Sequence, residues 1–208
     1  MIQIYSDFVC PWCYIGHRRL EAALEALAPS AQPQLIWSAY QLSEHESRTP
    51  GRTAAEAMMT WYPGAPEALA RMDRIAQAAG DVGPRIDLAK ARPVNTFDAH
   101  RLHKMAAQTD VSLLVREAIF RAYHMEGRNI ADHDVLARLA GAAGLDENGV
   151  RDMLAGNRFA SDILEDRQEA GTKAVTGVPK LVIEGRSAQS LPPTQAELLD
   201  LLMDASRA

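Results

Sequence analysis

The 208-residue sequence predicts an α/β fold in which a strand-helix-strand opening and a closing strand-helix pair bracket a long all-helical stretch. Three observations carry this expectation. Hydrophobic residues alternate or cluster as in strands near both ends and recur at helical spacing between them, and glycines and prolines punctuate these runs rather than interrupt them. The only two cysteines stand together at the first strand-to-helix junction.

Residues 3–8 alternate apolar and polar side chains and end near the turn-forming Ser6-Asp7 pair, as in a short strand. Beyond them Leu20, Ala23, Leu24 and Leu27 fall at i, i+3, i+4 and i+7, which builds one apolar helix face that stops before Pro29. Pro11 suits the first position of that helix, where a missing N–H costs nothing. Residues 34–42 are rich in β-formers and predict a second strand, and the helical crossover favours parallel pairing with the first. From about residue 53 to 172 the pattern is helical, with breaks near Pro63-Gly64, Gly80 to Pro84, Pro93, Gly127, Gly141 to Gly144 and Gly156. Val135, Leu136, Leu139, Ala140 and Ala143 form one inward stripe of that block. After Gly177-Val178-Pro179, residues 180–185 predict a strand with a turn at Glu184-Gly185-Arg186. Residues 195–203 predict a helix whose apolar face is Leu198, Leu199 and Leu202. No Gly/Ser-rich or charged linker separates the helical block, so residues 1–48 and 173–208 are expected to form a discontinuous core and residues 49–172 a packed insertion.

Composition bounds the class. With 47% hydrophobic and 24% charged residues the chain has an ordinary globular balance. A formal net charge of -5 excludes a general basic surface for nucleic acid. No run approaches the roughly 18–20 apolar residues of a membrane helix, and the first residues lack a basic-then-apolar leader, so a cytoplasmic location is expected. Two cysteines cannot build a disulfide framework; three positions apart, they suggest local chemistry.

In Cys10-Pro11-Trp12-Cys13 one thiolate can attack a disulfide while the other lies within reach to resolve the mixed species. A helix N-terminus favours thiolate, and activated cysteines fall at about 3.5–7.5 against about 8.5 for a free one. Cys10 is therefore the expected nucleophile and Cys13 the resolving thiol, with Pro11 and Trp12 offering a surface for substrate chain. Paired thiolates also bind zinc. His100 and His103 would have to complete such a set, and nothing in the sequence brings them to Cys10; the reading carries no metal. A buried structural pair is the blander alternative.

Residues 6–16, Ser-Asp-Phe-Val-Cys-Pro-Trp-Cys-Tyr-Ile-Gly, resemble the start of the DsbA-like thioredoxin-fold family in its FrnE-type subgroup, which is related to 2-hydroxychromene-2-carboxylate isomerase and kappa-class glutathione transferase. Residues 95–102, Asn-Thr-Phe-Asp-Ala-His-Arg-Leu, residues 122–130 and the Thr176-Gly177-Val178-Pro179 loop resemble later signatures of that family, in the same order. The resemblance implies a thioredoxin-like core with a large all-helical insertion domain and thiol:disulfide oxidoreductase activity. It implies a cis peptide at Pro179 that presents the Val178 backbone to substrate, and a cleft lined by Asn95, Thr96 and His100. Capping explains Asn95 and Thr96 equally well. Lys180 and Leu181 replace the aromatic pair that commonly follows the proline, and Ser187-Ala188-Gln189 matches the later Gly-Ala-Gln element only loosely, which leaves substrate preference open. Lys180 is expected at a solvated strand edge and His17 on the helix surface. His45, His103, His124 and His133 have no compelling spacing. Asp7 is either a turn residue or a proton relay.

The expected partner is a disulfide-containing peptide or a small thiol or disulfide, without nucleic acid or membrane, and an oligomer is compatible with the sequence. No resident cofactor is expected, and glutathione is a candidate co-substrate. The competing functions are a glutathione-dependent isomerase or transferase, in which Cys13 is unnecessary, and a chaperone-like binding protein.

Overall fold

The computed structural model describes residues 1–183, 188–192 and 194–206. A four-stranded sheet has the order β2-β1-β3-β4. At its centre β1 (Ile2–Ser6) pairs in parallel with β2 (Leu35–Ala39) and antiparallel with β3 (Lys180–Ile183); β4 (Gln189–Ser190) completes the edge. The parallel β1-β2 pairing agrees with the sequence. The edge strand β4 was not expected, and the proposed turn at residues 184–186 and Ser187 lie outside the described residues.

All five residues of β1 are buried, so its alternation separates two covered faces rather than core from solvent. Ile2 and Ile4 pack with Leu181, Ile183, Leu20, Leu198 and Leu202, between α1 (Pro11–Glu25) and α9 (Gln195–Ser206). On the other face the Gln3 amide donates to Ser38 Oγ at 2.7 Å and to Glu169 Oε2 at 2.6 Å, and the Tyr5 hydroxyl donates to the same carboxylate at 3.1 Å. Buried polar groups require such partners. Glu169 belongs to α8 (Ala160–Thr172), the last helix of the inserted segment, and thereby ties it to the sheet.

Between β2 and β3 the chain forms α2 (Ala54–Trp61), α3 (Ala65–Gly80), α4 (Phe97–Ala106), α5 (Ser112–His124), α6 (His133–Ala142), α7 (Glu147–Ala155) and α8. Every break read from glycine and proline falls in the last turn of a helix or in a connection between helices. One break was missed: residues 107–111 separate α4 from α5 without either residue, and Thr109 Oγ1 instead donates to the freed Ala106 carbonyl at 2.8 Å. Thr53 and Glu56 form a reciprocal capping box at the start of α2, and Asp132 and Asp146 cap α6 and α7.

The helical core is continuous with the cysteine turn. Leu102, Val115, Ile119, Phe120, Ile130 and Leu136 share one buried cluster with Phe8, Cys10, Cys13 and Tyr14. Asp166 of α8 braces the sheet against α4: its Oδ2 accepts from the Ala39 N–H and pairs with Lys104 Nζ, both at 2.6 Å. Asp98 of α4 accepts from Arg101 at 2.7 Å, while Arg101 also donates to the Met153 carbonyl at 2.7 Å and so holds the end of α7.

Gly127 ends α5 with φ +67°, where a Cβ would lie 2.7 Å from the Lys90 carbonyl oxygen. Only glycine meets both constraints without strain. Gly127→Ala is expected to lower unfolding free energy by about 1–3 kcal/mol, read as a lower urea midpoint at unchanged m; an unchanged midpoint would show that the Lys90 segment yields freely.

Candidate active site

Cys10 occupies the N-cap of α1 in an extended conformation, followed by Pro11 at the first helical position. The Cys10 carbonyl accepts from Cys13 N–H at 3.1 Å and Tyr14 N–H at 3.3 Å, which closes the first turn around the pair. Gly16 sits where a Cβ would fall 2.5 Å from Leu191 Cδ2 and 3.6 Å from Pro179 Cγ, so its bare backbone lets α1 approach the Pro179 loop. The Val178-Pro179 bond is cis. The Cys10 Sγ lies 3.7 Å from the Val178 carbonyl oxygen.

The two sulfurs are both buried free thiols, and of the two only Cys10 lines a cavity. Cys10 lines a cleft of about 450 Å³, and Cys13 lies behind it, 1% exposed. Burial first, and then the adjacent Cys10 sulfur, push the Cys13 thiol well above the ordinary range; the Asp7 backbone N–H, 3.5 Å from Cys13 Sγ, opposes this in part.

Asp7 fixes the back of the cleft. Its Oδ2 accepts from the Leu42 N–H at 2.7 Å and its Oδ1 faces His100 Nε2 at 3.3 Å. His100 is buried and packs on Phe8 with ring centroids 4.9 Å apart. Asn95 holds the segment after β2: its amide donates to the Glu44 carbonyl at 2.8 Å and its Oδ1 accepts from the Phe97 N–H at 2.9 Å. Thr96 is buried at the N-cap of α4 and makes no side-chain cap.

Of the residues expected around the site, Cys10, Pro11, Trp12 and Val178 line the cleft. Pro179 stands behind Val178, against the Gly16 face of α1. Asn95, Thr96 and His100 do not line it: their polar atoms are committed to the loop after β2 or to Asp7, or are enclosed in the α4 start, and so they support the wall from behind. His17 is buried rather than on the surface, because α1 turns that face toward Trp37 and Phe120. Lys180 donates to Ser190 at 3.1 Å across the sheet edge and is not a wall residue. A Cys2His2 zinc set is not assembled, since His100 faces Asp7 and His103 accepts from Arg116 at 3.1 Å. His133 is paired with Asp98 at 2.7 Å.

The opposite wall has little local signal in the sequence. It comes from Met58, Trp61 and Tyr62 around the α2-α3 turn, Arg71 and Ile75 of α3, and Tyr123 and His124 at the end of α5. Trp61 is 56% exposed, and Arg71 lies over the Tyr62 ring at 5.1 Å, placing a cation at the rim of an otherwise apolar wall. Trp61-Tyr62 in a surface helix was the available signal. His124, enclosed beside Tyr14 and Tyr123, is pushed by burial down to about 3, although the Phe8 and Cys10 carbonyls and Asp7 favour its charged form.

Residues 1–202 match the DSBA-like thioredoxin domain, and the chain belongs to that family. It is 25% identical over 186 residues to the uncharacterized protein YwbO of Bacillus subtilis, covering 88% of this chain and 86% of that one. The crystal structure of a probable DsbA oxidoreductase, SCO1869 from Streptomyces coelicolor, superposes with a TM-score of 0.88 at 26% identity over 98% of this chain and 88% of that one. Two more distant structures share the fold. They are a 2-hydroxychromene-2-carboxylate isomerase (TM-score 0.69, 16% identity, 99% and 94% covered) and the cytosolic disulfide reductase DsbM of Pseudomonas aeruginosa with GSH (0.59, 20%, 99% and 95%). Among the described residues no helix is long and apolar enough to cross a membrane.

The depressed basicity of His124 has a thermodynamic consequence. The unfolded chain takes up this proton near pH 6.5 and the folded chain only near pH 3. The contribution is therefore complete above pH 6.5 and is lost progressively as pH falls toward 3. His124→Phe is expected to flatten the decline in stability between pH 6.5 and 5 by up to about 1.4 kcal/mol per pH unit. Chemical denaturation across that range checks it, and slopes equal to wild type would mean the folded imidazole is already charged.

Proposed function

We propose that the chain is a thiol:disulfide oxidoreductase in which Cys10 attacks and Cys13 resolves. The observation that carries this reading is the asymmetry of the pair: Cys10 caps α1 at the wall of a cleft, and Cys13 is sealed behind it with a raised pKa. Membership in a family whose solved members include a probable DsbA oxidoreductase supports it. The enclosed Cys13, its thiol pushed up by burial, stays protonated and does not compete for substrate.

The Cys10 thiolate attacks one sulfur of the substrate disulfide, forming a mixed disulfide and releasing the other sulfur as thiolate. That thiolate takes a proton from solvent. Cys13 then attacks Cys10 Sγ as its own proton passes to the second departing substrate sulfur. The products are a Cys10-Cys13 disulfide and two substrate thiols, and the reverse sequence donates a disulfide. The Val178 carbonyl near Cys10 and the flat face of Trp12 give a bound peptide a backbone partner and a resting surface. Pro11 fixes the turn that presents Cys10, and Pro179 holds Val178 in place. Asn95, Thr96 and His100 act on substrate indirectly, through the wall they brace. A disulfide-bearing peptide or a small disulfide fits this cleft. Glutathione is the candidate co-substrate, by analogy with the DsbM structure that holds it.

Cys10→Ser is expected to abolish reduction of a model peptide disulfide, by at least about a thousandfold, as loss of a covalent nucleophile does. Cys13→Ser should instead accumulate a mixed disulfide on Cys10 that mass spectrometry detects. Turnover surviving in the Cys10 variant would sink the reading. The apolar wall of Trp12, Trp61 and Tyr62 favours one second reading, a glutathione-dependent isomerase acting on an aromatic substrate. Glutathione-dependent turnover of such a substrate, unaffected by Cys13→Ala, would select it.

A further inference from the structure

One cluster lies outside the cleft and is used by neither cysteine. His17 stands one turn beyond Cys13 on α1, with Glu21 one further turn along the same face. Its side chain is fully enclosed, and neither ring nitrogen has a hydrogen-bond partner. Nε2 nevertheless lies 3.4 Å from Glu117 Oε2 on α5 and 3.5 Å from Glu21 Oε2. Glu117 Oε2 is likewise buried without a hydrogen bond. An orphaned imidazole and an orphaned carboxylate oxygen facing each other is an arrangement proteins rarely leave uncompensated.

We propose that His17 Nε2, Glu21 Oε2 and Glu117 Oε2 bind a single zinc-class divalent cation that joins α1 to α5. The three donor atoms lie within 4.8 Å of one another. The two distances to Nε2 match the edge of a tetrahedron with metal-ligand bonds of about 2.0–2.2 Å, which is roughly 3.3–3.6 Å. Such an ion would satisfy both orphaned atoms at once, and a hydrogen bond between them would have to be bent out of line.

The surroundings hold each ligand in place. The Tyr14 hydroxyl donates to Glu117 Oε1 at 2.7 Å and leaves Oε2 turned toward the imidazole. Phe120 stacks on His17 at 5.5 Å and Trp37 meets it edge-on at 5.6 Å. Burial keeps the imidazole neutral, the form that ligates metal. Two carboxylates then balance the dication. The competing cation is Arg18, whose Nη1 lies 2.8 Å from Glu21 Oε2 and 3.9 Å from Glu117 Oε2; at 38% exposure its side chain has room to swing into solvent. Arg116, stacked on Trp37 at 3.8 Å, remains as a nearby positive charge that lowers affinity without blocking the site.

One imidazole and two carboxylates suit zinc, cobalt or nickel better than magnesium or calcium, which take more oxygen ligands. Three protein ligands leave a fourth position for water.

The test uses the full chain carrying Cys10→Ser and Cys13→Ser, so that thiolates cannot take the metal. Calorimetric titration with Zn2+ should show one equivalent bound, and Co2+ should give a visible spectrum without sulfur-to-metal charge transfer. Zn2+ should also raise the melting temperature. On the same background Glu21→Gln and Glu117→Gln preserve side-chain shape and should each weaken binding at least about tenfold, since even outer partners of metal ligands cost 10–100-fold. Absence of saturable binding would overturn the proposal. So would affinity unchanged in both glutamine variants, which would place the ion elsewhere. If Glu117→Gln fails to fold, the partly exposed Glu21→Gln alone decides by the same criterion.

Discussion

Asp7 engages all four of its polar atoms where β1, the cysteine turn, the segment after β2 and α4 meet. Its carbonyl accepts from the Cys10 N–H at 3.2 Å, its N–H reaches Cys13 Sγ, and its carboxylate takes the Leu42 N–H and faces His100. Replacing the His100 or Cys13 side chain by an apolar group would leave a buried polar atom of Asp7 unpaired, at a cost of about 1–3 kcal/mol. The network thus sets where the strand ends, where the helix begins and how far the cleft wall stands from the sulfur. His100 belongs to this frame directly, and Asn95 beside it ties the segment after β2 to the start of α4.

The parts of this arrangement visible in the sequence were those coded locally. Strand alternation at residues 3–8, Pro11 at a helix start and two cysteines at that junction are short-range signals; the structure has the helix start at Pro11 and ends the strand earlier, at Ser6, where Asp7 turns the chain. Thr53 and Glu56 mark a helix start by their spacing alone. Burial of His17 was not legible, because a single histidine on an amphipathic helix gives no sign of which flank a neighbouring domain covers. The wall of Met58, Trp61, Arg71 and Tyr123 was hidden for a related reason: α2, α3 and α5 converge on the cysteines only through tertiary packing. The break at residues 107–111 lacked glycine and proline, and Thr109 supplies its substitute by a side-chain hydrogen bond.

The buried polar groups are distributed in a pattern that follows function and framework. Gln3, Tyr5 and Glu169, like Asp166 and Lys104, are fully engaged and join the helical segment to the sheet. Near the cysteine-bearing helix the pattern changes: His17 is enclosed with no hydrogen bond to its ring, and His124 is enclosed beside the Phe8 and Cys10 carbonyls. Burial outweighs the nearby acceptors and pushes each imidazole toward its uncharged form. On the α1 and α5 side the reactive turn therefore meets largely neutral aromatic groups, while charge lies in Asp7 behind it and in Arg71 and Glu46 of the cleft wall.

The pairing of β1 bears on the order in which the molecule can assemble. Ile2 lies beside Leu35 on one side and Ile183 on the other, so the first strand of the chain waits for almost the last one before its second edge is covered. Contacts of such long sequence separation form late and slow the closing of a fold. During synthesis the β1-α1-β2 unit and the helices that follow can organise while the antiparallel edge of β1, and the Val178 side of the cysteine cleft, are still missing. A nascent chain therefore has no complete cleft until residues 178–183 have been made.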